Sequence, residues 1–156
     1  MIRDATQEDA EALVRMGAAY VEEAGHLERF GAEFCPQSFL TTCEALARTG
    51  VMIVAEHDGR VVGMLGAAFI PVLWNYKVLL AQETWFYVQP TKRKGLRKET
   101  SEALLKEYEE RATAQGVSFG GIVQELGPRR SAVGRLYEAK GYAPAESVYL
   151  KRLAAH

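Results

Sequence analysis

Five basic side chains lie within seven residues of the chain, around one glycine, Gly95; they are Lys92, Arg93, Lys94, Arg97 and Lys98. The β-branched and aromatic run Thr84–Val88 before them predicts a strand, which Pro90 ends. Apolar side chains at helical spacing follow as far as Gly116 and predict a helix. Backbone N–H groups at a helix N-terminus, together with cations, bind anions. The stretch fits an anion site, and it fits a solvated basic loop equally well.

The composition is that of a globular chain with one domain, residues 1–156. Hydrophobic residues make up 48% of the sequence and charged residues 25%, which excludes a disordered chain. The formal net charge of -1 gives no indication of nucleic-acid or membrane binding, so the basic stretch is a local feature. Cys35 and Cys43 are too few for a disulfide scaffold or a zinc site, and the histidines show no ligand spacing.

The sequence predicts neither secretion nor a membrane span. Residues 1–5 lead directly into a strand-like segment rather than a signal peptide. The longest apolar run, Val61–Trp74, is shorter than a helix that spans a bilayer, and it contains Pro71. We therefore expect a cytoplasmic protein.

Turn signals and apolar periodicity divide the chain before the basic stretch into strands and helices. The predicted elements are a strand at 2–3, a helix from 6 to 25, a helix from 36 to 48, and a hairpin with strands at 51–56 and 61–69. Asp58-Gly59 forms the turn of that hairpin. Two further segments are expected to be irregular: a connector at 26–35 and a surface loop at 70–81.

Three more elements are predicted after the central helix: a strand at 118–125, a helix at 130–140 and a closing strand at 148–153. Gly120 and Gly121 in the first of these strands allow a close backbone approach or a bulge. Strands mixed with helices, with a hairpin early in the chain, indicate an α/β fold whose sheet has strands of both directions.

Two stretches resemble the GNAT superfamily of acyl-CoA-dependent N-acyltransferases. VQPTKRKG with EALLKEYEERATAQG is similar to that family's central strand, basic loop and helix, and SAVGRLYEAKGYAPAESVYLKRL to its terminal helix, turn and strand. The loop departs from the family pattern, since Leu96 and Lys98 occupy positions usually held by small residues. The resemblance covers nearly the whole chain. It implies a mixed, mostly antiparallel twisted sheet flanked by helices, with a central strand pair that splays apart.

The resemblance also implies an activity, the transfer of an acetyl group from acetyl-CoA to a primary amine of a small molecule, a protein or a peptide. The backbone of the central strand would pair with the pantetheine amides at Phe86, Tyr87 and Val88. The N–H near Val88 is then the candidate oxyanion donor. The pyrophosphate would lie on the loop formed by Arg93, Lys94, Gly95, Leu96, Arg97 and Lys98.

Two side chains carry the chemistry that the resemblance implies. Tyr137 would donate a proton to the departing coenzyme A sulfur, and the alternative is a packed core tyrosine. Glu83 would act as general base, often through water, and the alternative is an exposed acid at a strand edge. Glu125, at the end of the next strand, is a rival base.

Other functions remain open alternatives: a catalytically silent acyl-CoA-binding protein, or a nucleic-acid-binding module that uses the loop 92–98. The near-neutral charge and the lack of a second basic stripe count against nucleic acid. In the resembled fold, the connector at 26–35, the loop at 70–81 and the segment before Val148 would form the walls for the acceptor amine. They contain Phe30, Phe34, Trp74 and Tyr76 with Glu28 and Glu33, a mixture that suits a cation with an apolar part. Homodimers are common in the family, but no residue pattern indicates an interface.

Overall fold

A five-stranded sheet forms the centre of the molecule, with helices on both faces. The computed structural model describes residues 1–124 and 130–146, together with residues 148, 151 and 153. The strands are β1 (Ile2–Asp4), β2 (Gly50–His57), β3 (Arg60–Val72), β4 (Asn75–Val88) and β5 (Phe119–Gly121). They lie in sequence order across the sheet; the first four are antiparallel neighbours, and β5 is parallel to β4. The predicted α/β fold with a mixed, mostly antiparallel sheet is confirmed.

The helices are α1 (Ala10–Glu23), which follows a 3-10 turn at Gln7–Asp9, and then α2 (His26–Phe30), α3 (Pro36–Thr49), α4 (Leu96–Ala114) and α5 (Arg130–Ala139). Helices α1 and α3 cover one face of the sheet, where Met16, Phe39 and Leu46 pack on Val54 and Met64. Helices α4 and α5 cover the other face; the buried residues there include Leu104, Leu105, Tyr108 and Tyr137 against Ile53 and Leu65. The two cores fix the sheet between its helical layers.

The hairpin between β2 and β3 turns where the sequence predicts it. Asp58 and Gly59 both have positive φ angles, 50° and 70°, as a two-residue turn of the mirror-image type requires. The predicted end of α1 and start of α3 are also confirmed: Gly25 follows α1 in a left-handed conformation, and Pro36 is the first residue of α3. The helix predicted from residue 6 begins as the 3-10 turn, and α1 itself starts at Ala10.

The prediction of a surface loop at 70–81 is wrong. Strand β3 continues to Val72 and β4 begins at Asn75, so this segment is the far end of a long hairpin, with Ile70 opposite Leu80. Pro71 is compatible with a strand here because the pairing of β3 with β2 ends at Ala68, which leaves Pro71 at an edge. Pro71 therefore suggested a break in the chain, whereas β3 in fact continues beyond the end of its pairing with β2.

The irregular connector at 26–35 contains a short helix, α2, between two glycines with left-handed backbone, Gly25 and Gly31. Within the described part of the predicted strand at 118–125, residues 118–124, the strand pairing covers Phe119–Gly121. Glu125 lies outside the described residues. The closing strand at 148–153 also falls largely outside them, since only Val148, Lys151 and Leu153 of it are described.

Among the residues that the structure describes, no helix has both the length and the apolar character needed to cross a membrane.

A bidentate ion pair fixes the first turn of the chain to the sheet. The Arg3 guanidinium donates to both carboxylate oxygens of Asp9, at 2.7 and 2.8 Å, and to Glu56 at 3.0 Å. Asp9 also accepts the Thr6 N–H at 2.8 Å. Since Asp9 is buried, these partners offset its desolvation, and the Arg3 hydrogen bond lowers the pKa of Asp9 below its ordinary value.

Asp9→Asn should lower the free energy of unfolding by about 1–3 kcal/mol at neutral pH, because the buried side chain keeps one acceptor oxygen but loses the charge and the second oxygen that Arg3 and Thr6 use. The folded pKa lies below the unfolded value of about 3.9. The stabilisation by Asp9 is therefore complete above about pH 4 and is lost as the pH falls through the folded pKa. Denaturant unfolding at several pH values measures this, and the variant should show the shallower decline in acid. The exposed neighbour Glu8 provides the control, and an equal loss in Glu8→Gln would contradict this account.

Candidate active site

Strand β4 contains a bulge in the middle of the sheet. Along β3, Gly66 lies opposite Trp85 and Ala67 opposite Glu83, so Thr84 is skipped. The bulge exchanges the two faces of the strand. Before it, Ala81 packs on the α4 side; after it, Phe86 and Val88 pack on that side, while Trp85 and Tyr87 pack towards α1 and α3.

Strands β4 and β5 diverge next to this bulge. Their parallel pairing consists of Leu80 with Phe119, Ala81 with Gly120 and Gln82 with Gly121. Beyond these pairs both chains continue, through 83–88 and 122–124, without further pairing to each other among the described residues. The two segments form a fork that opens towards α4, as the splayed strand pair in the GNAT resemblance implied.

The outer edge of β4 faces this fork through alternate residues. The Gln89 N–H donates to the Val62 carbonyl of β3 at 2.9 Å. Because backbone groups of successive strand residues point to opposite sides, the N–H and C=O of Val88 and of Phe86 point away from β3, into the fork. The backbone of Tyr87 points towards β3. Of the three central-strand residues predicted to meet a ligand, two therefore present their backbone to the open edge.

Glu83 lies at the base of the fork and is only 5% exposed. Its Oε2 accepts the backbone N–H of Val123 at 2.9 Å, so the side chain of one diverging segment holds the backbone of the other. The alternative of an exposed acid at a strand edge is wrong, because the bulge places Glu83 on the inward face of the sheet. A buried carboxylate needs such donors to offset its desolvation.

Tyr137, on α5, approaches the same residue, Val123. Its side chain is buried, its ring packs 6.1 Å from that of Tyr142, and its hydroxyl lies 3.4 Å from the Val123 carbonyl, a long hydrogen bond. Glu83 and Tyr137 are distant in sequence, and the fold brings both polar ends to the backbone of Val123. Tyr137 is thus a packed core residue whose hydroxyl reaches the fork, which leaves both of its predicted roles open.

Tyr108 is a further polar group at the fork that the sequence indicates only as part of a buried helix face. Its hydroxyl donates to the Ala81 carbonyl at 2.7 Å and lies 3.4 Å from the Gly121 carbonyl, at the last paired residues of the two strands. Burial raises the pKa of Tyr108 far above its ordinary value, so the hydroxyl stays protonated and neutral. A Cβ on Gly120 would lie 3.3 Å from this hydroxyl, a tight contact that a side chain at this position would make only if the hydroxyl moved slightly.

The basic loop enters α4 as predicted. Leu96 is the first residue of α4, and Gly95 directly before it has a left-handed backbone, with a φ of 87°. The Glu99 N–H donates back to the Gly95 carbonyl at 3.0 Å, and the Arg93 N–H donates to the Thr91 hydroxyl at 3.2 Å. The first-turn N–H groups of α4 form the positive end of a helix next to exposed cations.

The cations of the loop point in different directions. One guanidinium nitrogen of Arg93 lies 3.5 Å from the His57 ring at the β2–β3 turn. Lys98 makes an exposed pair with Glu102, at 3.8 Å. Arg97 instead pairs with Glu23 at the end of α1, at 3.4 Å. The six predicted phosphate-binding residues are contiguous in the fold, but their side chains do not converge on one point.

A depression of about 1060 Å³ lies behind the loop, between α1, the β2–β3 turn and the start of α4. Its lining includes Arg15, Arg60 and Arg97 together with Glu8 and Asp58. Val88, Leu96 and Thr100 line it and Glu83, Phe86 and Tyr137 do not, so it adjoins the end of the fork nearest α4 but does not reach the base of the fork. We place the candidate active site at the fork because the buried polar groups and the open strand edge meet there.

The predicted acceptor walls are only partly brought together. Ring contacts run from Phe30 through His26 and Tyr20 to Trp85, and a second series runs from Phe34 through Phe39 to Trp85. Trp74 and Tyr76 lie at the tip of the β3–β4 hairpin, exposed to solvent. At about 3.3 Å per residue, Trp74 is roughly 30 Å along β4 from Glu83. The tip therefore does not share a wall with Phe30 and Phe34.

Comparison with solved structures places this arrangement among known folds. A transcriptional regulator from Bacillus halodurans is similar over 98% of this chain and 99% of its own, with 23% identity and a TM-score of 0.73. A ribosomal-protein-alanine N-acetyltransferase from Brucella melitensis is similar over 99% of both chains, with 20% identity and a TM-score of 0.71. A predicted acetyltransferase from Clostridium acetobutylicum, solved with acetyl-CoA, covers 98% of this chain and 96% of its own, with 18% identity and a TM-score of 0.66.

These likenesses confirm the fold that the two motif stretches implied. No protein-family model matches the sequence, and no curated protein matches it significantly.

Proposed function

We propose that this chain, which has the fold of the GNAT acetyltransferases, transfers the acetyl group of acetyl-CoA to a primary amine. The observation that carries the proposal is the fork between β4 and β5, with Glu83 and Tyr137 directed at its base. An open strand edge inside a protein offers backbone groups to an extended amide-containing ligand, as in strand addition. Pantetheine is such a ligand, since it carries two amides along an extended chain.

The donor is expected to lie along β4 and end at α4. Phe86 and Val88 would pair with the pantetheine amides, and the Val88 N–H would stabilise the oxyanion of the tetrahedral intermediate. The diphosphate would accept hydrogen bonds from the first-turn N–H groups of α4, with Arg93 and Lys94 as exposed cations beside them. The acetyl-CoA in the Clostridium acetobutylicum structure, which has a similar fold, supports this choice of donor.

The reaction needs two proton movements. The neutral amine attacks the thioester carbon and then loses a proton as the C–N bond forms, and Glu83 would receive it through water. The C–S bond breaks, and the departing sulfur would take the proton of the Tyr137 hydroxyl, which solvent then replaces. Since Glu83 Oε2 already accepts the Val123 N–H, an intervening water is the geometry that suits this base.

The acceptor would enter from the α1–α2 side of β4. The rings of Tyr20, His26 and Trp85 lie there. Aromatic faces suit a cation that carries an apolar body. We therefore expect an amine with an aromatic or aliphatic part to be a better acceptor than a small, fully polar amine.

A catalytically silent acyl-CoA-binding protein is the second candidate, and one observation favours it. The Glu83 carboxylate already serves the fold by holding Val123, which accounts for its burial without any role in catalysis. The similar protein from Bacillus halodurans is described as a transcriptional regulator.

The first experiment is thermal unfolding of the protein with and without acetyl-CoA, because a ligand that binds only the folded state raises the midpoint. The expected result is a shift of several degrees with acetyl-CoA and none with a single-stranded oligonucleotide. Release of coenzyme A is then measured over a panel of amines. A shift without release on any amine would support the silent protein, and no shift with acetyl-CoA would refute both candidates.

Glu83→Gln should lower turnover at pH 7 and recover part of it as the pH rises, since a free amine has a pKa of about 10.4 and deprotonates without help at high pH. The amide oxygen of glutamine can still accept the Val123 N–H, so the fold should survive. Initial rates between pH 7 and pH 10 give the profile. An equal loss at every pH would assign Glu83 to structure alone.

Tyr137→Phe should reduce the maximal rate by about 100-fold or more while it changes acetyl-CoA affinity little, because the hydroxyl acts only on the departing sulfur. Phenylalanine retains the packing on Tyr142. Steady-state kinetics on the best amine, with acetyl-CoA affinity measured separately, test this. Tyr142→Phe removes the hydroxyl of a neighbouring, partly buried tyrosine and is the matched control. A Tyr137→Phe variant with the full rate would restrict Tyr137 to packing.

A further inference from the structure

Tyr87 of β4 and Arg97 of α4 both contact the carboxylate of Glu23, at the end of α1, beside the basic loop. Glu23 is the last residue of α1, Tyr87 is next to the end of β4, and Arg97 is the second residue of α4. The Tyr87 hydroxyl donates to Glu23 Oε1 at 2.7 Å, and Arg97 Nη2 donates to Glu23 Oε2 at 3.4 Å. The Arg97 guanidinium also lies over the Tyr87 ring, 5.7 Å from its centre. We call this group the α1–β4–α4 clasp.

Both charges of the clasp oppose the dipole of their own helix. A carboxylate is disfavoured at a helix C-terminus and a cation at a helix N-terminus. The last turn of α1 contains two acids, Glu22 and Glu23, and no basic residue, so α1 itself supplies no compensating charge. Arg97 supplies that charge from α4, and Glu23 does the same for Arg97. Each position is favourable only because the other is occupied.

The clasp also determines where the Arg97 side chain lies. Tyr87 packs on the face of the sheet that α1 and α3 cover, so its ring and hydroxyl direct Arg97 to that face. The backbone of Arg97 remains in the first turn of α4, where the donor diphosphate is expected. Arg97 thus gives its N–H to the anion site and its side chain to α1.

We infer that Glu23 is a positioning residue: through Tyr87 and Arg97 it holds the first turn of α4 against β4, so that the N–H groups of α4 meet the diphosphate of the donor. This inference rests on the proposed function. Arg97 acts in it as an internal counter-ion for Glu23 and not as a phosphate ligand. The clasp also joins α1, which leads into α2 and its aromatic rings, to the element that binds the donor.

The test is a double-mutant cycle on acetyl-CoA affinity, measured by calorimetry on the full chain. Glu23→Gln and Arg97→Gln should each weaken binding by about two- to fivefold, the range for partly exposed ion pairs. The double variant should bind no more weakly than either single one, because each change already breaks the same pair. The turnover number should stay near wild type while the KM for acetyl-CoA rises. Glu22→Gln removes the same charge from the same turn and should have no effect.

The opposite assignment makes the opposite prediction. If Arg97 binds phosphate and Glu23 restrains it, Glu23→Gln would release Arg97 and tighten acetyl-CoA binding, and the two losses would not be coupled. Either result overturns the clasp, as does an unchanged affinity in Glu23→Gln. An exchange of the charges gives a second test: Glu23→Arg with Arg97→Glu should bind more tightly than Arg97→Glu alone, and no improvement would count against the clasp.

Different results would refute the proposed function and the role of the clasp. A wild-type protein without affinity for acetyl-CoA refutes the proposed function. A wild-type protein that binds acetyl-CoA, with Glu23→Gln and Glu22→Gln indistinguishable from it, refutes the clasp and leaves the proposed function intact.

Discussion

The divergence of β4 from β5 is the constraint on which the rest of the site depends. Two parallel strands would normally continue their ladder, since an unpaired backbone group in the interior costs free energy. Here the ladder stops at Gln82 and Gly121, and two side chains supply hydrogen bonds to backbone groups next to this point. Tyr108 bonds to the carbonyl of Ala81 just before the division, and Glu83 accepts the N–H of Val123 just after it. The fork is therefore held open by side chains that substitute for backbone partners.

The bulge at Thr84 makes this substitution possible. Without it, the alternation of the strand would place Glu83 and Trp85 on the same face, and a carboxylate would share the aromatic core below α1 and α3. The skipped residue turns Glu83 towards the α4 side, near the freed backbone of Val123, and leaves Trp85 among rings. One extra residue thus separates a polar face from an apolar one along the same strand. The basic loop and α5 therefore lie next to a strand, β4, in which the positions of the open edge and of the Glu83 carboxylate are fixed by the bulge.

The sequence predicts the parts of the fold whose signals are local. Asp58-Gly59 requires a tight turn, Gly25 ends a periodic helix, and Gly95 precedes another. Prediction from the sequence fails where one local signal is compatible with two structures. Pro71 breaks a central strand but is compatible with an edge, and only the length of β2 decides which applies.

The sequence predicts which residues belong to the candidate site, but it does not predict how their side chains are arranged. The family resemblance identified Glu83, Tyr137 and the loop, but Thr84 and Trp85 are both ordinary strand residues, so no residue type indicates the bulge. The direction of the Arg97 side chain depends on Glu23, which is remote in sequence. Tyr108 has the spacing of any buried helix residue, and only the tertiary structure shows that its hydroxyl is at the fork.

The long β3–β4 hairpin separates the two tryptophans of the chain into opposite environments. Trp74 is 87% exposed at the tip, whereas Trp85 lies 5.0 Å from Phe39 and 5.7 Å from Tyr20. An aqueous quencher such as iodide reaches the exposed indole at the tip more readily than the partly buried indole of Trp85. The fluorescence that remains at low quencher concentration therefore comes mainly from Trp85 and reports on the strand that borders the fork. The molecule thus contains its own optical probe of the site, and Trp74 can be silenced without any mutation.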